Sequence, residues 1–151
     1  MDLESLYQEM ILDHNKRPRN FRALAGATCQ AHGRNPLCGD DYHLFFKLNA
    51  EGVIEEASFF GKGCAISKAS ASMLTDAVKG KTVEEAGRIA ARFIELVTSE
   101  NPGAEAKKKL GPLTVFEGVK KFPVRVKCAT LSWRALEAAL KSGGNEEIST
   151  E

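Results

Sequence analysis

The chain has 151 residues, of which 43% are hydrophobic and 27% are charged, which suits one globular domain with its own core. Its formal net charge of +1 gives no electrostatic reason to expect binding to nucleic acid or to a membrane surface. No apolar run approaches the roughly 20 residues of a membrane helix, and residues 1–4 are acidic, unlike a signal peptide. We therefore expect a cytoplasmic protein whose four cysteines stay reduced.

The first half of the chain predicts one helix and a β-hairpin. Apolar residues at helical spacing predict a helix over residues 2–14. A short strand is expected near residues 27–32. Alternating apolar residues predict a strand over residues 42–48, and the turn at residues 49–52 returns the chain as an antiparallel strand over residues 53–60.

The second half of the chain is predicted to be mainly helical. Residues 65–79 show an apolar stripe. Thr82 and Glu85 have the spacing of a capping box, which predicts the start of another helix. After a mixed region, residues 121–128 are predicted to be extended and to lead into a last helix over residues 129–141.

Three cysteines occupy distinctive positions. The hairpin brings Cys38, which lies in a loop with Asp40, to the same end as Cys64. Cys64 lies at a strand-to-helix turn, where free N–H groups and the helix dipole favour a thiolate. Cys128 is predicted to open the last helix. Three thiols and a carboxylate would give a tetrahedral ligand set that suits zinc or, less well, an iron–sulfur cluster.

Basic residues flank two of these cysteines, and we expect them to offset the surplus negative charge of the ligand set; they are Lys62, Arg125 and Lys127. A simpler interpretation of the cysteines also stands. Their long spacings match no zinc-finger pattern, and scattered cysteines in a reducing compartment are commonly small buried hydrophobic residues. We interpret Cys29 as structural or incidental.

The histidines are weaker candidates for a metal site. His14 ends the first predicted helix and is best interpreted as a partner of the helix dipole. His43 lies on the polar face of its strand and should face solvent. His32 is close to the cysteine loop in sequence, but a ligand role for it is the less favoured interpretation.

The cysteine motifs and their flanks carry a resemblance that covers nearly the whole chain. The matching segments include Arg17-Pro18-Arg19-Asn20, Asn35-Pro36-Leu37-Cys38-Gly39-Asp40, Gly63-Cys64-Ala65-Ile66-Ser67 and Arg125-Val126-Lys127-Cys128-Ala129. On these residues the chain resembles the IscU-like (NifU N-terminal-like) iron–sulfur cluster assembly proteins, and in particular their SufU branch. We expect one such domain over residues 1–141, with a SufU-type insertion near residues 100–118. The polar residues 142–151 are predicted to form a disordered tail.

The resemblance implies an α+β fold in which a small antiparallel three-stranded sheet packs against helices. It implies zinc bound by Cys38, Asp40, Cys64 and Cys128 at the end of the sheet. It also implies a partner, a pyridoxal-phosphate-dependent cysteine desulfurase of the SufS type, which would pass persulfide sulfur to Cys38. Lys127 stands where IscU proteins carry a histidine, and this departure favours sulfur relay over chaperone-assisted cluster building.

Three functional interpretations follow. The first is a zinc-dependent sulfur acceptor, a sulfurtransferase that works with a desulfurase rather than a stand-alone enzyme. The second is a scaffold on which a transient [2Fe–2S] cluster forms on the same ligands before transfer to apo-proteins. The third is a zinc-stabilised interaction module without sulfur chemistry.

Overall fold

The computed structural model describes residues 3–142 and 145–149 as helices packed against one sheet. The helices are α1 (Leu3–Lys16), α2 (Ala65–Val78), α3 (Val83–Thr98), α4 (Ala104–Leu110) and α5 (Pro123–Ser142), with a 3-10 helix over Gly111–Lys121. The strands are β1 (Cys29–Asn35), β2 (Asp40–Leu48), β3 (Ile54–Lys62) and β4 (Asn145–Ser149). The α+β fold is confirmed.

The sheet has the strand order β3-β2-β1-β4. The β2–β3 hairpin is antiparallel, as the sequence predicted, and β1 pairs antiparallel with β2. The prediction of three strands is wrong, because β4 adds a fourth strand that pairs in parallel with β1. This strand forms from residues 145–149 of the predicted disordered tail; residues 143, 144, 150 and 151 lie outside the described residues. Its backbone pairing and partly buried Ile148 supply the order that a short polar segment alone does not predict.

Strand β2 separates a buried face of the sheet from a more exposed one. Tyr42, Leu44 and Phe46 are almost completely buried, whereas the residues between them are not. Side chains alternate between the two faces of a strand. The buried face is called the inner face below, and the other is called the outer face.

The helices form the core with the inner face of the sheet. Trp133 of α5 is fully buried and stacks on Phe93 of α3 at a ring-centroid distance of 4.7 Å. The predicted insertion also contributes to this core, because Phe116 of the 3-10 helix meets Phe93 edge-on at 5.6 Å. No helix within residues 3–142 has both the length and the apolar character needed to cross a bilayer.

The sequence pattern predicted the start of α3 correctly but placed the start of α5 too late in the chain. Thr82 and Glu85 form the predicted capping box at the start of α3. The prediction that residues 121–128 are extended is wrong, because α5 begins at Pro123. Proline suits the first helical position, where its fixed φ is already helical and its missing N–H is not needed. Cys128 therefore lies in the second turn of α5 rather than at its start.

Candidate metal centre

The candidate site lies where β2 begins, at the end of the sheet. Cys38 lies in the loop between β1 and β2, Asp40 is the first residue of β2, and Cys128 comes from α5. One thiol or carboxylate atom from each of the three lies within 4.8 Å of the other two. The structure therefore brings together three of the four predicted ligands from two distant parts of the sequence.

Asp40 is held in place by three hydrogen bonds and is 2% exposed. Its Oδ1 accepts from the backbone N–H of Cys64 at 2.9 Å and from the Ser67 hydroxyl at 2.8 Å. Its Oδ2 accepts from the Asn35 side-chain amide at 3.3 Å. Because the carboxylate is fixed on both oxygens, it is a preorganised acceptor at the centre of the site.

Cys64 is connected to the site through these hydrogen bonds rather than through a close thiol. It is the N-cap residue of α2, and its Sγ accepts from the Ser67 backbone N–H at 3.4 Å. At this site, the described ligand atoms that all lie within 4.8 Å of one another belong to Cys38, Asp40 and Cys128, and the Cys64 thiol is not part of that group. The Cys64 thiol is placed to cap the helix, and it would have to turn from that role to ligate a metal with them.

The electrostatics of the site favour a bound cation. Burial, hydrogen bonds with Cys38 and Asp40 and the nearby charge of Cys64 all raise the pKa of the Cys128 thiol. Closely packed anions destabilise one another in a buried setting, and a divalent cation reverses that effect. The donor set of thiols and a carboxylate is also one that zinc accepts. The residues present therefore fit a zinc ion.

Two buried oxygens beside the site support that fit. The side-chain carbonyl of Asn35 and the hydroxyl of Tyr42 are buried without a hydrogen-bond partner in the part of the chain that the structure describes. Asn35 also contacts the Cys128 Sγ at 3.6 Å through its amide nitrogen. Native proteins leave few buried polar atoms unpaired, so these two oxygens are available to a further polar component of the site.

Gly63 allows the loop before α2 to approach the carboxylate. A Cβ atom at this position would lie only 2.6 Å from Asp40 Oδ1 and 2.6 Å from Ser67 Oγ. A larger residue would therefore push the loop away from the carboxylate. The roles of Asn35 and Ser67 were not predicted from the sequence, although Ser67 stands three residues after Cys64, where an N-cap side chain bonds to the backbone.

Cys38 is the accessible thiol of the group. It is partly exposed, whereas Cys128 is fully buried. A cavity of about 480 Å³ opens beside Cys38 and is lined by residues 121–125 at the start of α5. Two of the lining residues, Phe122 and Val124, are exposed apolar side chains, and Leu37, the chain neighbour of Cys38, is also exposed and apolar.

The predicted supporting cations do not share one location. Arg125 lines the cavity beside Cys38. Lys62 is exposed at the end of β3, two residues before Cys64. Lys127 lines a different cavity, with Thr98 and Arg134. Of the three, Arg125 is the cation that faces the same opening as Cys38.

The remaining cysteine and the histidines lie away from the thiols. Cys29 is 2% exposed and belongs to the hydrophobic core. The His14 ring bonds to the Ser72 hydroxyl at 2.7 Å. His43 is exposed on the outer face, as expected, and His32 is there with it, bonded to Asp41 at 2.7 Å.

Comparison with known proteins gives consistent matches over nearly the whole chain. Residues 6–142 match the family model described as the NifU-like N-terminal domain. The chain is 42% identical over 146 residues to a Bacillus subtilis (strain 168) protein named zinc-dependent sulfurtransferase SufU, covering 95% of this chain and 97% of that protein. It is 45% identical over 150 residues to a Streptococcus pyogenes serotype M1 protein named iron-sulfur cluster assembly scaffold protein IscU, covering 99% and 91% respectively.

A solved structure gives the same result for the fold. It comes from Fervidobacterium islandicum AW-1 and is described as a candidate iron–sulfur cluster assembly scaffold protein for the SUF system. The TM-score is 0.81 at 32% sequence identity, and the match covers 92% of this chain and 99% of that chain.

Proposed function

This chain belongs to the NifU-like N-terminal domain family, as its cysteine motifs predicted, and from that premise we propose that it is a zinc-dependent sulfur acceptor for iron–sulfur cluster assembly in the cytoplasm. Its donor would be a pyridoxal-phosphate-dependent cysteine desulfurase of the SufS type. One observation supports the proposal most. A partly exposed thiol, that of Cys38, lies within 4.8 Å of ligand atoms of the buried Asp40 and Cys128.

Zinc would be held by Cys38, Asp40, Cys64 and Cys128. The ligand atoms of Cys38, Asp40 and Cys128 already lie close together. Cys64 is linked to them because its backbone N–H donates to Asp40. Bound zinc would supply the positive charge that keeps the thiols deprotonated. A carboxylate is a harder ligand than a thiolate, so this set should hold zinc more loosely than four cysteines would.

Cys38 would carry out the sulfur transfer. Its thiolate attacks the terminal sulfur of the donor cysteine's persulfide, which forms a new S–S bond on Cys38 Sγ. The S–S bond of the donor breaks, and the donor cysteine leaves as a thiolate. One thiolate is consumed and one is released, so the step needs no oxidant, reductant or net proton.

The surface around Cys38 suits a protein donor rather than a small molecule. Leu37, Phe122 and Val124 are exposed apolar side chains beside the thiol. Clustered exposed apolar residues mark protein contact sites. Arg125 adds a positive charge at the same opening, so the desulfurase surface that docks here should offer apolar residues with an acidic group among them.

The decisive experiment follows sulfur onto this chain. Anaerobic, zinc-loaded protein is incubated with the desulfurase and cysteine, and intact-mass spectrometry measures the addition of a sulfur atom. The wild type and Cys29→Ser, which removes a cysteine remote from the site, should both gain sulfur on Cys38, and Cys38→Ser should not. Equal sulfur loading of Cys38→Ser would show that the acceptor has been assigned wrongly.

A second candidate function is a scaffold for a transient [2Fe–2S] cluster on the same residues. The observation in its favour is the 45% identical relative that is named a scaffold. Anaerobic reconstitution with iron and sulfide separates the two proposals. A coloured protein with iron and sulfide in equal amounts would favour the scaffold, whereas a colourless zinc protein that accepts persulfide sulfur would favour the relay.

A further inference from the structure

The outer face of the sheet carries a second group of potential metal ligands. One ligand atom each from His32, Asp41 and His43 lies within 4.8 Å of the other two. Asp41 is the chain neighbour of Asp40, and consecutive strand residues point to opposite faces. The two adjacent carboxylates therefore serve two different clusters, one on each side of the sheet.

The pairing of β1 with β2 aligns the two imidazoles. His32 and His43 are direct cross-strand partners, and their rings stack with centroids 4.1 Å apart and planes 9° from parallel. Asp41 lies two residues before His43 and so shares its face, and its Oδ1 lies 2.7 Å from His32 Nε2. Backbone pairing thus holds the three potential ligands close together, and all three lie on strands rather than in a loop.

Glu147 of β4 provides an independent indication of a metal site. Its Oε1 lies 3.2 Å from His32 Nδ1, the ring nitrogen that does not face Asp41. A carboxylate accepts hydrogen bonds, so Nδ1–H donates to Glu147 and Nε2–H donates to Asp41. Nε2 is therefore the nitrogen that a metal would bind together with Asp41. Histidines that bind metals commonly donate their second N–H to a carboxylate in this manner, which fixes the ring and strengthens the metal bond.

We propose that His32, Asp41 and His43 form a second metal site, distinct from the thiol site, with Glu147 as its positioning residue. Two imidazole nitrogens and one carboxylate oxygen suit a borderline divalent first-row cation such as Zn²⁺. Bond lengths of about 2.0–2.2 Å to one tetrahedral ion require ligand atoms about 3.4 Å apart. Because each imidazole lone pair lies in its ring plane, the stacked rings of His32 and His43 must also rotate out of their parallel arrangement to bind the same ion. On binding, the ion replaces the hydrogen that His32 and Asp41 share.

The solvent exposure of this second site should lower its affinity for zinc. The His32 and Asp41 side chains are 22% and 42% exposed, so solvent can fill the remaining coordination positions. Three ligands in water should bind zinc more weakly than the buried thiol site. The inference rests on the outer-face geometry alone and does not depend on the proposed sulfur chemistry.

The test is a zinc titration of the full-length protein that already holds one equivalent of zinc. Calorimetry should show a second binding step of about one zinc per chain in the wild type. His43→Asn should lose this step, and Lys47→Asn should keep it, because Lys47 is exposed on the outer face of the same strand outside the group. A wild type with no second step, or a His43→Asn variant that retains it, would overturn the proposal.

The positioning role of Glu147 has a test of its own. Glu147→Gln keeps all three ligands, so the second step should remain at the same stoichiometry but with an affinity about 10- to 100-fold lower. Proton NMR of the imidazoles should also show His32 and His43, and not His14, shifting during this step. An unchanged affinity in Glu147→Gln would remove Glu147 from the proposed site.

Discussion

The two faces of strand β2 each place a carboxylate beside potential metal ligands, but they differ in burial and in the type of ligand. On the inner face, Asp40 is buried and receives three hydrogen bonds, and its neighbouring donors are thiols. On the outer face, Asp41 is partly exposed, and its neighbouring donors are imidazoles that solvent can reach. We therefore expect the stability of the protein to depend more on the hydrogen bonds of the buried inner cluster than on those of the exposed outer cluster.

The largest difference between the faces should come from removing each carboxylate. Asp40→Ala removes the charged acceptor shared by the Cys64 N–H, the Ser67 hydroxyl and the Asn35 amide, which should cost about 3 kcal/mol of unfolding free energy. Asp41→Ala should change stability by no more than about 0.5 kcal/mol. Urea unfolding of the metal-free proteins measures both values. Equal losses would show that the two faces do not differ as described.

The packing of the inner face gives the next largest expected effect. Gly63→Ala places a methyl group against Asp40 and Ser67 and should destabilise the protein by about 2 kcal/mol. Gly87, within α3, is the control, because a Cβ there meets no atom within 4 Å. Gly87→Ala should stabilise by about 0.5–1 kcal/mol through helix propensity. Thermal unfolding compares the two, and a neutral Gly63→Ala would contradict the tight approach.

Alkaline pH should act on the inner face through its thiols. Burial raises the pKa of Cys128 and of Cys29 above the ordinary value of 9.0. Near and above pH 9 the unfolded chain therefore loses thiol protons that the folded protein retains, so stability falls as pH rises. The slope should be at most about 1.4 kcal/mol per pH unit for each thiol.

Thermal midpoints between about pH 8 and pH 9.5 test this slope in the presence of a chelator. The Cys29→Ala variant should retain only the part that Cys128 contributes. Zinc-loaded protein should show a flatter profile, because its site thiols are already deprotonated. A rise in stability over this range would contradict the assigned direction.

The smallest effect is expected from the outer-face hydrogen bonds. His32→Asn removes the contacts to Asp41 and to Glu147, whose side chain is 77% exposed. Exposed pairs of this kind contribute about 0.2–1 kcal/mol and are weakened by salt. Urea unfolding at low and high salt should therefore show a small loss that shrinks at high salt. A loss as large as that of Asp40→Ala would mean that β4 depends on this histidine.

The parts of the fold with local signals were predictable from the sequence. Alternating apolar residues identified the β2–β3 hairpin, and the hairpin brought Cys38 and Cys64 to one end of the sheet, as expected. The pattern of Thr82 and Glu85 identified the start of α3 because a capping box needs only four consecutive residues. The family was also predictable, because the motifs around the cysteines are specific.

Other features depend on contacts between distant residues and had no local signal. Strand β4 is ordered by its pairing with β1, which its own polar sequence does not reveal. The Asn35 side-chain amide contacts the thiol of Cys128, which lies 93 residues away in the sequence. The role of Cys38 and the full ligand set remain predictions. Sequence spacing could not show which thiols lie closest, because the Cys64 side chain caps α2 through a hydrogen bond that spacing does not reveal.

The position of β4 has a consequence for the behaviour of the protein at high concentration. A strand at the border of a sheet exposes unpaired N–H and C=O groups that recruit strands from other molecules. Strand β4 pairs with the edge of β1 and so becomes the edge strand itself, with only five residues, two of which are glutamates. Because a short, negatively charged edge strand should repel its own copies, we expect β4 to limit self-association at this edge of the sheet. A protein shortened to residue 142 should fold its core yet aggregate more readily.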